Sequence, residues 1–326
     1  MTPKLQKILA TTFIGITVVT GLQALIYILN LDQSYIFWQA SVYIYLYLLL
    51  QVVLLFDLHA KRPGYFSRAR EKHKDVRFKL KRETKIFFTA LWDRFEHLRR
   101  WGYLRQWIHF LLLPSFIFWA SVSLFYVNFN YLRVQETVAI LSSVALIANY
   151  WNLKEVFYRR KEIVDRDIFV VLTVIKIYAA GALFAASMSF LRYYCLSPIY
   201  FSLEVFGYTF LLIYQALYQH RKVFGYTLSI TLIISILMAL IGYLVYVYWG
   251  FNYFTAAVFM SVCYNLFWGI FHYRLDRELT WQTFAEIFLV SVLIAVMVIS
   301  ITNFRARILD GCSYAKSENR INQKIG

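Results

Sequence analysis

Lys176 stands inside an apolar run, from about Ile168 to Leu191, whose middle reads Ala179-Ala180-Gly181-Ala182 and Ala185-Ala186-Ser187. A charged side chain is costly to hold there, so it marks a substrate or ion path, a counter-ion or a helix contact. Eight residues beyond Ile168, it lies about 12 Å along a helix, and its stem can snorkel back toward the nearer surface. Glu286, near the start of the last apolar run, is a candidate partner for it. Glu204 lies near the opposite end of its own run, too far away. Asn149 and Asn152 form the densest polar patch of any run, beside Lys154 and Glu155, and Gln215 and Asn265 are further isolated amides. Such amides more often join helices by hydrogen bonds than bind substrate. Lys176, Glu286, Asn149 and Asn152 together make the candidate intramembrane polar site.

Other chemistries find little support. The six histidines (His59, His73, His97, His109, His220, His272) all fall outside the middles of the apolar runs, which argues against haem ligated by two span histidines. HExxH, G-x-S-x-G, the GK[ST] phosphate loop and G-x-G-x-x-G are missing, so no metal or other cofactor is expected. Asp57, His59, His109, His220, His272 and Asp276 would serve acid–base work on a lipid headgroup only if folding brought them together. Of three cysteines, Cys263 lies within a run, while Cys195 and Cys312 are the candidate disulfide, available in an oxidising compartment.

These residues must be positioned by membrane helices. Hydrophobic residues make up 60% of the 326, and charged residues only 16%. A soluble globular chain is nearer a quarter charged, and long uncharged runs indicate bilayer spans. The expected fold is all-α: a polytopic transmembrane helix bundle forming a single integral membrane domain. Nine spans are expected, at about 8–29, 35–56, 107–129, 137–157, 168–191, 200–218, 224–248, 254–271 and 283–302. Spans of roughly 22 residues reach about 33 Å, enough for a ~30 Å hydrocarbon core. Small residues in the fifth let neighbouring backbones approach, which places it at the bundle centre. Phe129-Asn130-Tyr131 and Phe251-Asn252-Tyr253 mark two outer turns, but the gaps to the acidic marks that follow differ by eleven residues, which argues against an internal repeat.

Between the second and third spans, residues 57–106 carry fifteen of the 34 Lys and Arg residues against six acids. Within this arm Phe88, Leu91, Trp92, Phe95 and Leu98 share one arc at 3.6 residues per turn, the pattern of an amphipathic helix on the inner leaflet. Cytoplasmic loops carry the Lys/Arg excess. With the N-terminus and arm inside, 26 of the 34 cations are cytoplasmic and seven external, leaving Lys176 in its span. The polar tail, 303–326, is then external although its five cations favour the cytoplasm. The net charge of +16 is absorbed by this asymmetry and does not call for nucleic acid. The expected partners are the lipid bilayer, with anionic headgroups at the arm, and protein chains of an assembly. The expected place is the cell (plasma or inner) membrane.

The residues name no reaction. A transporter or flippase-like carrier accounts for the span number and Lys176. A non-catalytic subunit of a membrane or envelope assembly accounts for the few polar span residues and the basic arm. A lipid-modifying enzyme is the third class, and the weakest, since no catalytic motif supports it.

Overall fold

The computed structural model describes residues 3–31, 33–55, 85, 88–89, 92, 101–158, 166–219, 223–249, 252–276 and 278–302. The arm apart from residues 85, 88, 89, 92 and 101–106, and the tail with Cys312, lie outside them. Among the described residues the elements are helices and no strand forms. They are α1 (Pro3–Asn30), α2 (Ser34–Leu55), α3 (Trp101–Val127), α4 (Leu132–Tyr158), α5 (Arg166–Tyr193), α6 (Pro198–Gln219), α7 (Gly225–Tyr248), α8 (Tyr253–Asp276) and α9 (Trp281–Ile301). Each falls on a stretch expected to span.

Seven of them, α1, α2 and α5 to α9, are long and apolar enough to cross a membrane. In α3 the described side chains, Leu111–Val127, form an apolar run that accommodates Pro114 within the helix. In α4 the apolar run is diluted by Ser142, Ser143, Asn149 and Asn152. Outward faces are apolar as well as inward ones: Leu232, Ile236 and Leu240 of α7 and Leu289, Leu293 and Val296 of α9 are all exposed. Helices apolar on every side, with backbone hydrogen bonds closed internally, suit a hydrocarbon solvent. Seven such helices mark a multi-pass membrane protein.

Two compact units divide the chain: residues 1–118 with 129–175, and residues 119–128 with 176–326. In the first, α1 packs on both α2 and α4. Its buried face repeats every three or four residues through Ile14, Val18, Leu22, Leu25 and Leu29. Glycine sets these approaches, since a methyl at Gly21 would stand 2.9 Å from Ile44 Cγ2 and one at Gly15 3.3 Å from Ile147 Cδ1. Gln51 donates to Thr17 Oγ1 at 2.8 Å across the α1–α2 pair, and Tyr45 shares a 2.6 Å hydrogen bond with Ser115 of α3.

In the second unit α6 packs along α7, and α8 packs on α7 and α9. Thr227, Thr231 and Ser235 recur every fourth residue on the buried face of α7. Each hydroxyl donates to a carbonyl one turn back, so these small side chains bring no unmet polarity to the seam. Gly242 continues the face, meeting Val205 and Phe201 of α6 and Met260 of α8. The apolar window of α5 is 56% buried, the largest share among the seven, as its small residues lead one to expect. That of α9 is only 6% buried, with Ser291 its buried residue.

Candidate intramembrane polar site

Lys176 lies on α5 in the second unit and is 3% exposed. Ala179, Ala180, Leu183 and Phe184 around it are buried too, so the ammonium end of an apolar stem sits on the packed side of the helix. Close approach of α8 to α5 is set further along, where a methyl at Gly181 would stand 2.7 Å from Ser261 Oγ. Gln215 of α6, Tyr264 of α8 and Trp268 of α8 are likewise buried in this unit. The Tyr264 hydroxyl and the Thr209 hydroxyl of α6 have no hydrogen-bond partner among the described residues. A buried polar atom without a partner costs about 1–3 kcal/mol.

Glu286 is exposed on α9 and enters no ion pair among the described residues. The two residues paired by sequence reasoning are thus a buried lysine and an exposed acid. Asn149 and Asn152 belong to the other unit. Asn149 is fully buried, and neither amide atom has a hydrogen-bond partner among the described residues. Asn152 turns back on its own helix, donating to Ala148 O at 2.8 Å. The asparagines therefore do not bond to each other.

A second arrangement, which the sequence did not announce, closes one end of α5. Arg192, in its last turn, donates to Trp249 O at 2.9 Å and Tyr246 O at 3.4 Å, and its guanidinium lies 5.4 Å from the centre of the Tyr246 ring. A cation there meets the negative end of the α7 dipole and satisfies carbonyls that the helix leaves open. Tyr246 donates in return to Leu196 O at 2.9 Å. Leu196 N–H bonds Leu191 O at 2.8 Å and Cys195 N–H bonds Arg192 O at 3.0 Å, the paired closure of a Schellman motif. Cys195 occupies the left-handed position, φ 53°, that glycine usually fills. It is disulfide-bonded, whereas Cys263 is a free thiol.

One further network touches α5. Ser187 donates to the Tyr208 hydroxyl of α6 at 3.4 Å. Of the inner-surface acid–base candidates, His272 is described and stacks on Trp268, centroids 5.4 Å apart. Asp57, His59 and His220 lie outside the described residues. No group of three or more His, Cys, Asp or Glu among the described residues is arranged to hold a metal.

The arrangement defines a multi-pass helical membrane protein with a buried lysine in the most enclosed of its seven apolar helices. No protein-family model, curated protein or solved structure matches this chain.

Proposed function

We propose that this protein is a membrane carrier, a transporter or flippase, whose polar centre is Lys176. The observation that supports this reading is a lysine, 3% exposed, in the most buried apolar helix. Ionisable residues kept inside spans face bundle interiors or water-filled paths and mark substrate or ion pathways. Gln215 and the Tyr264 hydroxyl, buried in the same unit, are the neutral hydrogen-bonding groups that would orient a bound solute.

In this reading all nine helices cross the bilayer, α3 and α4 included. The N-terminus and arm 57–106 are cytoplasmic in the cell membrane, with the arm's cations against anionic headgroups. Phe88 and Trp92, both exposed, would enter the leaflet. The tail is external and Cys195 pairs with Cys312, the third cysteine of the chain.

The test is Lys176→Met in protein extracted in mild detergent and weighed intact by native mass spectrometry. The variant is expected to insert and melt as the parent does, yet to lose the small solute or lipid that travels with the parent. Full retention by Lys176→Met would remove the carrier reading. The largely unpacked α9 favours a second reading, a subunit whose α9 docks on another chain. Stoichiometric partner chains in the same spectra, lost when α9 is made bulky at Leu293, would support it.

A further inference from the structure

We propose that the solute carried at Lys176 is an anion, a carboxylate or phosphate whose oxygens are received by α5 and α8 inside the second unit. The inference rests on the carrier reading and names the class of its substrate.

The two helices come together where a methyl at Gly181 would stand 2.7 Å from Ser261 Oγ. Three short connections, 194–197, 220–224 and 249–252, separate them along the chain, so they run antiparallel. Lys176 lies five residues before Gly181, about 7.5 Å along the axis. In the same direction Tyr264 lies three residues from Ser261 and Trp268 seven, about 4.5 and 10.5 Å. The lysine is thus at a depth between the phenol and the indole of α8, and all three side chains are buried. Tyr264 is turned about 60° and Lys176 about 140° round its own helix from the Gly181–Ser261 contact. In antiparallel helices those two rotations lead to the same side. It is the side on which α7 packs: Met260, about 100° round in the same sense, would stand 3.5 Å through its Cε from a methyl at Gly242 of α7.

What these groups offer a ligand is one-sided. An ammonium and an indole N–H donate and do not accept. The Tyr264 hydroxyl, which has no hydrogen-bond partner among the described residues, adds a third donor. Lys176 is also the charged residue of the core, and no carboxylate is buried among the side chains described. A cation brought to this depth meets like charge. A carboxylate or phosphate brings the opposite charge and two or more acceptor oxygens, and charge-assisted hydrogen bonds are roughly twice as strong as neutral ones. Arg192, sixteen residues and about 24 Å further along α5, is committed to the carbonyls of α7 and does not share the site.

The experiment follows the thermal midpoint of the whole protein in mild detergent, at fixed pH and ionic strength, against inorganic phosphate, butyrate and a short-chain phosphatidic acid. Choline and glucose serve as the cationic and neutral probes. A saturable rise with at least one anion is expected, reproduced by neither choline nor glucose. Lys176→Met and Tyr264→Phe are each expected to weaken that anion roughly tenfold, as loss of one hydrogen bond to a charged group would. Tyr264→Phe keeps the ring and removes only the hydroxyl, so it decides the matter alone where Lys176→Met fails to fold. A response to phosphatidic acid without one to phosphate identifies a lipid headgroup as the source, and the reverse a free solute; both support the class. No rise with any anion, a rise with choline or glucose alone, or a rise that both variants retain (an adventitious ion only) overturns the proposal. Anion binding lost in both variants, with no passage of that anion into vesicles holding the parent, would remove the carrier reading and leave the anion site.

Discussion

Arg192 illustrates how a charge near a span end differs from one within it. In the proposed topology it is one of the few external cations, which the charge rule merely tolerates. In the fold it donates to two carbonyls at the end of α7 and rests on Tyr246. Truncation to Arg192→Ala leaves those carbonyls open at a helix end, and the expected loss is about 1–3 kcal/mol. A lower thermal midpoint in detergent, partly restored by Arg192→Lys, is the expected reading; an unshifted midpoint would assign no stabilisation to the contact. Cys195 next to it holds a left-handed conformation at a cost of about 1–2 kcal/mol to a non-glycine residue. Cys195 is also disulfide-bonded. Lys176 was recognisable from its type and setting alone. Its expected partner was not, because which acid faces it depends on helix rotation and packing, and Glu286 turned outward.

At the scale of elements, glycine decides how closely helices approach. A side chain on Gly181 would stand 2.7 Å from Ser261 Oγ but 3.8 Å from Ser261 Cβ. The obstruction is therefore the hydroxyl, which is held by its own bond to Ala257 O at 2.7 Å. Gly181→Ala is expected to destabilise by about 1–3 kcal/mol, the usual range for overpacking. Adding Ser261→Ala removes the obstructing atom, so the double variant should recover most of the loss. Midpoints of both variants and the parent check this, and an equal loss in the double variant would place the strain elsewhere. The helices themselves were legible, because runs of about twenty apolar residues bounded by charged or turn-forming residues leave a backbone few alternatives in lipid. The Ser187–Tyr208 bond between α5 and α6 was not, since it depends on the rotation of both helices.

For the molecule as a whole, the proposed topology makes a definite statement about the tail. Single cysteines introduced at Lys316 and within the arm at Lys72, in a Cys195→Ala, Cys263→Ala, Cys312→Ala background, should label oppositely in intact cells. The tail residue is expected to react with a membrane-impermeant maleimide and the arm residue only after lysis. Protected tail and reactive arm would invert the protein, and equal protection of both would remove one crossing. Composition, run length and the distribution of Lys and Arg determined by themselves that this is an all-helical, multi-pass membrane protein, since transfer free energy depends on the residues in a run rather than on its neighbours. Only tertiary structure decided that Lys176 is buried while Glu286 is not, that Arg192 closes α7, and that Ser187 bonds to Tyr208. Those outcomes depend on which faces of different helices meet. In a chain apolar on nearly every face, no amphipathic stripe announces that rotation in advance.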